Sequence, residues 1–203
     1  SKADALDSII NKKVATESGY IRLFVACLTQ AGVKHELGVT SDRTTHKVES
    51  NFENWAVLDD YLIYFPNLKQ FLAPTRVNYR YPVIPVENTS NMGVFCTIPP
   101  NGVITGGLAE LITIPALPAK ENCQKIAAGV TFSKEMEPQV DINYAYTGYT
   151  ATSLRNSIIQ DPSDREKETV LRLVPLADKR DNIVKFTTAN ERFDNYYSNK
   201  PLE

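Results

Sequence analysis

The chain has 203 residues, enough for one large domain or two small ones. Its 22 basic and 24 acidic residues give a formal net charge of −2, so the basic surface typical of nucleic-acid-binding proteins is not expected. No apolar run reaches the roughly 18 residues of a membrane-spanning helix, and Ser1-Lys2-Ala3-Asp4 is not a typical signal-peptide start. The 42% hydrophobic and 23% charged residues indicate a globular protein with a real core.

Two amphipathic helices are predicted at the start of the chain. Residues 4–15 carry apolar side chains at helical spacing, and a second helix follows at about 20–32. The second helix has a stripe of four apolar side chains: Ile21, Phe24, Val25 and Leu28. Gly32 stands where a helix-ending glycine is expected. Cys27 widens the stripe, so we expect its thiol to be buried and slow to react.

A strand and a hairpin are predicted next. Residues 35–40 are typical of a strand. Residues 54–58 and 61–65 then predict a β-hairpin that turns at Asp59-Asp60, with both faces apolar. Because a hairpin tip is exposed, we interpret the two aspartates as turn residues and not as acid–base groups.

The rest of the chain is richer in predicted strands. Prolines are spread through residues 74–118, where extended linkers and turns are expected. The expected elements are strands at 93–98, 111–114, 122–132 and 139–149, helices at 150–159 and 163–173, and a strand at 183–188. In the strand at 139–149, apolar and polar residues alternate, which predicts one buried face and one solvated face.

The cysteines and histidines form no recognisable catalytic or metal-binding pattern. The three cysteines are too scattered for a disulfide scaffold or a zinc ribbon. Three buried thiols are expected, and one disulfide with a leftover thiol is the alternative. Cys27 lies within a helix, whereas a nucleophilic thiol needs a helix N-terminus and a nearby histidine. His35 and His46, even with Glu36 or Asp42, match no metal-binding spacing. The sequence therefore predicts neither a metal nor a cofactor.

Three short motifs follow one another within residues 4–80. The second helix ends in Ala31-Gly32-Val33, Glu53-Asn54-Trp55 leads the next predicted strand, and Leu72-Ala73-Pro74-Thr75 closes the unit. This order resembles the transglutaminase-like superfamily, which has a papain-like α+β fold. Members of that family typically carry Gly-x-Cys at the start of the helix, Phe-Asn-His on a strand and Leu-Asp-Pro-Thr on the next.

The resemblance implies a core that lacks the Cys-His-Asp triad of the family. Its cysteine position falls on Glu17, its histidine position on Trp55 and its aspartate position on Ala73. Loss of all three residues implies a pseudoenzyme. Each replacement also has a structural interpretation: Glu17 suits a helix N-terminus, and we expect Trp55 to fill the space between the second helix and the sheet. Ala73 removes a carboxylate that would be buried without a partner.

The resemblance also implies an organisation and a location. A helix-on-antiparallel-sheet core is expected in residues 1–80, followed by a β-rich region with one or two helices in residues 81–203. That later region looks like the segment that follows such domains in large multidomain bacterial envelope proteins, which implies a periplasmic or envelope location.

Three functions are open at this point. The first is a non-catalytic binding or scaffolding module for a protein or glycan partner. The second is a hydrolase or acyltransferase with relocated catalytic residues, such as Glu17 with His35 or His46. The third is a structural spacer.

Overall fold

The computed structural model describes residues 5–51, 54–97, 109–160, 185, 187–192 and 200–203, with the backbone alone at Trp55 and Gln160. The chain divides into two compact units, Ser1–Ala116 and Leu117–Glu203. This boundary differs from the division expected after residue 80, because the sheet of the first unit continues to residue 114. Helices and antiparallel sheets occur together, so the mixed α+β class is confirmed.

Two helices open the first unit, α1 (Leu6–Lys12) and α2 (Glu17–Gln30), near their predicted positions. The hydroxyl oxygen of Thr16 caps α2 by accepting a hydrogen bond from the Gly19 N–H at 3.2 Å. At the other end, Gly32 has a left-handed φ of 67°, which a glycine adopts without strain. The predicted cap at Gly32 is therefore confirmed.

Five strands of the first unit form one curled, antiparallel half-barrel sheet. They are β1 (Glu36–Thr40), β2 (Asp60–Phe65), β3 (Gln70–Leu72), β4 (Asn91–Thr97) and β5 (Ala109–Ile114). Their order across the sheet is β3-β2-β1-β4-β5, so β1 lies at the centre. Gly38 of β1 lies opposite Leu62 on one side and Phe95 on the other.

The hairpin predicted from residues 54–58 and 61–65 is wrong. β2 pairs with β1 and β3, and residues Trp55–Val57 form a short 3₁₀ turn. Asn54 favours this turn because its side-chain oxygen accepts a hydrogen bond from the Ala56 N–H at 3.2 Å. Asp60 consequently begins a strand and is buried, whereas the sequence placed it at an exposed tip.

The hydrophobic core of the first unit is built around an aromatic ring that lies over two glycines. The core comprises Leu62, Phe71, Ala73, Ile84, Phe95 and Ile114, with Tyr64 and Ile112 packed against it. A Cβ atom at Gly38 would overlap the Phe95 ring, and one at Gly93 would lie 2.7 Å from the Cε2 atom of that ring. Phe95 also contacts the rings of Tyr64 and Phe71, at centroid distances of 5.7 and 5.6 Å.

The second unit contains a long hairpin and a helix. β6 (Gln124–Phe132) and β7 (Pro138–Tyr146) pair over nine residues, and α3 (Gly148–Gln160) follows directly. These elements confirm the strands predicted at 122–132 and 139–149 and the helix predicted at 150–159. The predicted helix at 163–173 and most of the predicted strand at 183–188 lie outside the described residues.

A small core joins the end of β7, α3 and the last residues of the chain. It contains Tyr146, Ala151, Leu154, Ile158 and Leu202, with Tyr144 packed against it. The buried Arg155 of α3 donates hydrogen bonds to the backbone carbonyls of Asn190 at 2.9 Å and Lys200 at 2.6 Å. These contacts satisfy a buried guanidinium, so Arg155 has a structural role.

We expect Gly38→Ala to destabilise the first unit by about 1–3 kcal/mol, because the added methyl group must displace the Phe95 ring. Urea unfolding followed by tryptophan fluorescence measures the effect, since Trp55 is the only tryptophan and belongs to that unit. Gly129→Ala is the control, followed by circular dichroism, because a Cβ atom at this strand glycine has nothing within 4 Å. Equal stability of Gly38→Ala and wild type would show that the Phe95 ring does not require this glycine.

Candidate functional site

The three positions at which the resemblance would place a triad, Glu17, Trp55 and Ala73, have different environments. Glu17 is the first residue of α2 and is exposed, which places its charge favourably beside the helix dipole. Ala73 follows β3 and is buried in the core of the first unit. Trp55 lies in a turn five residues before β2, and its indole is outside the described side chains, so its packing stays a prediction.

Arg76 connects two of these positions. Its backbone N–H donates a hydrogen bond to the Ala73 carbonyl at 3.3 Å, and its guanidinium forms an ion pair with Asp60. Partial desolvation alone would lower the pKa of Arg76, but the hydrogen bond and charge of Asp60 outweigh it, so the pKa is raised. Glu87 and Glu17 add weaker attraction in the same direction. Glu17 therefore lies within electrostatic reach of Arg76.

Asp60 also belongs to a buried polar network at one end of the sheet. The Asn88 side-chain amide donates to the second carboxylate oxygen of Asp60 at 2.8 Å, whereas Arg76 occupies the first. Asn91 donates to the Ser41 carbonyl at 3.0 Å. All of these residues except Arg76, whose side chain is 46% exposed, are buried. The network joins the end of β1 to the starts of β2 and β4.

The same network holds the loop after β1. The side-chain oxygen of Asn91 accepts a hydrogen bond from the Val48 N–H at 2.9 Å, and the Ser41 hydroxyl donates to the His46 carbonyl. The Arg43 N–H donates to the Glu87 carbonyl at 2.9 Å. The loop is thus fixed against the segment that leads into β4.

The network has a structural role. Both carboxylate oxygens of Asp60 accept hydrogen bonds from side chains of other segments, which holds these segments together. Sequence reasoning missed the network because its members come from segments 16 to 50 residues apart. The only local signal was polar residues at strand ends, which is also the pattern of an ordinary solvated loop.

The histidines give no support for a metal or a catalytic base. His35 directly precedes β1 and is buried, and its Nδ1 lies 2.7 Å from the Val33 carbonyl. Its Nε2 is buried and has no hydrogen-bond partner among the described residues. Within the same residues, no cluster of three or more histidine, cysteine, aspartate or glutamate side chains could hold a metal ion.

The prediction that Cys27 is buried is wrong. Its thiol is on the exposed side of α2, whereas Cys96 and Cys123 are half-buried. Cys27 lies about two helical turns after Tyr20, which is also exposed, so the two share one face. The stripe of Ile21, Phe24, Val25 and Leu28 is buried or half-buried, as predicted.

The second unit presents an exposed apolar surface. We call β6, β7 and their connecting turn (residues 124–146) the arm. All nine residues of β6 are exposed, and the register places alternate residues of both strands on one apolar face. The most exposed large side chains of the strands on this face are Ile126 (51%), Val130 (56%), Phe132 (62%) and Val140 (52%). A continuous face of this kind is typical of an interaction surface.

Comparison with known proteins identified no relative of this chain. Comparison with protein-family models, with curated proteins and with solved structures found no match. In the described part of the chain, none of the helices combines the length and apolar character needed to span a membrane.

We expect Asn91→Ala to destabilise the first unit by about 1–3 kcal/mol, because it leaves the part-buried Val48 N–H without its acceptor and removes the buried hydrogen bond to the Ser41 carbonyl. Hydrogen exchange at the Val48 amide should become faster, as mass spectrometry of the 41–48 segment can show. Thr45→Ala, an exposed change in the same loop, should have little effect. Unchanged exchange at Val48 in Asn91→Ala would mean that this contact does not hold the loop.

We expect native thiol titration to find a fast-reacting group that disappears in Cys27→Ser. The reason is that Cys27 is exposed, whereas the other two thiols are half-buried and should react more slowly. Cys96→Ser is the matched comparison and should retain the fast phase. A Cys27 thiol that reacts only after unfolding would restore the buried interpretation.

Proposed function

We propose that the chain is a non-catalytic binding or scaffolding module whose first unit has a degenerate transglutaminase-like core. The observation that carries the proposal is the burial of Ala73 in the core. Its carbonyl accepts a hydrogen bond from the backbone N–H of Arg76, whose guanidinium forms an ion pair with Asp60. A methyl group packs where the family has a carboxylate, and the nearby Asp60 carboxylate is fully engaged by Arg76 and Asn88. By the same resemblance, we place the protein in the envelope of a bacterium.

The exposed arm favours a binding role over a purely structural spacer. A spacer needs no continuous apolar face, whereas this surface exposes more than half of several large aliphatic and aromatic side chains. A protein partner suits the arm better than a glycan, because the face offers few groups that could bind sugar hydroxyls.

An enzyme with relocated catalytic residues is less well supported. One candidate base, His35, has one ring nitrogen beside the Val33 carbonyl and the other buried, and the second candidate, His46, is exposed in the loop after β1. The partner carboxylate, Glu17, is exposed at the start of α2. Among the described residues, Glu17 forms no hydrogen bond or ion pair with either histidine.

The proposal predicts no thiol-dependent acyl transfer. The chain should not cross-link an amine donor to a glutamine-containing protein above the level of a heat-treated sample, because position 17 carries no thiol and position 55 no imidazole. Cross-linking that iodoacetamide abolishes would overturn the non-catalytic assignment.

Restoring the triad tests the resemblance separately. In a Cys27→Ser background, we compare Glu17→Cys alone with Glu17→Cys combined with Trp55→His and Ala73→Asp. If the positions converge, the pH midpoint for alkylation of the introduced thiol should fall by about one unit or more in the triple variant, because an imidazole stabilises the thiolate. Mass spectrometry of the alkylated peptide measures the midpoint.

Glu17→Cys with Trp55→Phe and Ala73→Asp is the matched control and should keep the midpoint of the single variant. Equal midpoints in the triple and single variants, with wild-type circular dichroism in both, would rule out the transglutaminase-like alignment. That outcome would leave the binding role of the arm untouched.

A further inference from the structure

The outer edge of β6 has few of the features that usually protect an edge strand. Within the described residues β6 pairs only with β7, and all nine of its residues are exposed. It carries a single charge, at Lys125, and no proline. An exposed strand with free backbone N–H and carbonyl groups readily accepts a strand from another chain.

The outer edge of β7 is better protected. Pro138 lacks a backbone N–H, and Asp141 places a charge in the middle of the strand. At its other end, Tyr146 pairs with Leu202 through two backbone hydrogen bonds of 2.9 Å. Strand addition is therefore directed to β6.

The β6 sequence is complementary to a second copy of itself. In an antiparallel pair that uses all nine residues, Ala128 lies opposite Ala128 of the other copy. Ile126 then lies opposite Val130, and Lys125 opposite Thr131. No like charges meet, and the apolar side chains of both copies stay on one face because paired residues have the same parity.

We propose that the β6 edge is a homodimerisation site at which two copies pair their β6 strands antiparallel about Ala128. The result is a four-stranded sheet in the order β7-β6-β6-β7. Cross-strand contacts such as Ile126 with Val130 of the second copy shield side chains that are more than half exposed in one chain. The pairing does not depend on the ancestry of the first unit.

A disulfide test reads out the register directly. In a Cys27→Ser/Cys123→Ser background, Ala128→Cys should form an intermolecular disulfide with a mild oxidant, because opposite Cβ atoms lie about 4.5–5.5 Å apart, close to disulfide range. Ala127→Cys is the control: it lies opposite Gly129, two positions from its own counterpart, and should cross-link far less. Peptide mass spectrometry identifies the linkage.

A charge exchange tests the same register in solution. Sedimentation should show wild type at twice the 22.7 kDa mass of one chain. Ala128→Lys and Ala128→Glu should each dimerise at least tenfold more weakly, because like charges meet at the symmetry axis, and an equimolar mixture should restore the dimer. Val140→Lys, on β7 and away from the edge, should leave the dimer intact.

Each contrary result overturns the proposal. A monomeric wild type would mean that β6 accepts no second copy, and a wild-type chain that binds strands of another protein while monomeric would assign the edge to that partner. Loss of the dimer in Val140→Lys would indicate packing of the apolar faces in place of edge pairing. Equal cross-linking of Ala127→Cys and Ala128→Cys would exclude the register. This test does not use the charged variants, so it holds even if one of them fails to fold.

Discussion

The position of the Phe95 ring is the constraint on which the first unit depends. The ring fits over the central strand only because Gly38 has no side chain, and Gly93 on its own strand leaves room for its other edge. From there it reaches Tyr64 of β2 and Phe71 of β3. One side chain thus ties together strands from both halves of the sheet, and the two glycines allow the backbone to approach it closely.

The register set by this packing also explains the polar end of the sheet. Because Gly38 faces Leu62, the residues two positions along each strand, Thr40 and Asp60, face each other at the strand ends. A carboxylate buried there needs donors, and Arg76 and Asn88 supply them. The same groups therefore give the buried carboxylate its donors and fix the ends of the strands.

The sequence predicted those features whose causes are local. Gly32 ends α2 because of its own backbone freedom, and the alternation in residues 139–149 follows from side-chain geometry within one strand. The errors occur where the structure depends on contacts between distant residues, or where a local turn preference competes with an apolar strand pattern. Asn54 turns the chain where an apolar pattern predicted a strand, and Asp60 is buried because Arg76, sixteen residues away, neutralises it. Only the helix-end position of Glu17 could be anticipated in the candidate site, since the polar network joins segments that no local pattern connects.

The two units differ in how their sheets are packed: the five-stranded sheet has a core, whereas much of the arm is exposed. In the first unit the sheet is curled around one core, in which Phe95 and its neighbours are buried. In the arm, the sequence alternates as if one face were buried, yet among the described residues only the end near Tyr144 and Tyr146 belongs to a core. Two strands alone are marginally stable in water, so a nine-residue pair whose first strand is exposed throughout needs a further source of stability. The proposed pairing of two β6 edges would supply stability through backbone hydrogen bonds and cross-strand contacts, while the apolar face itself stays open.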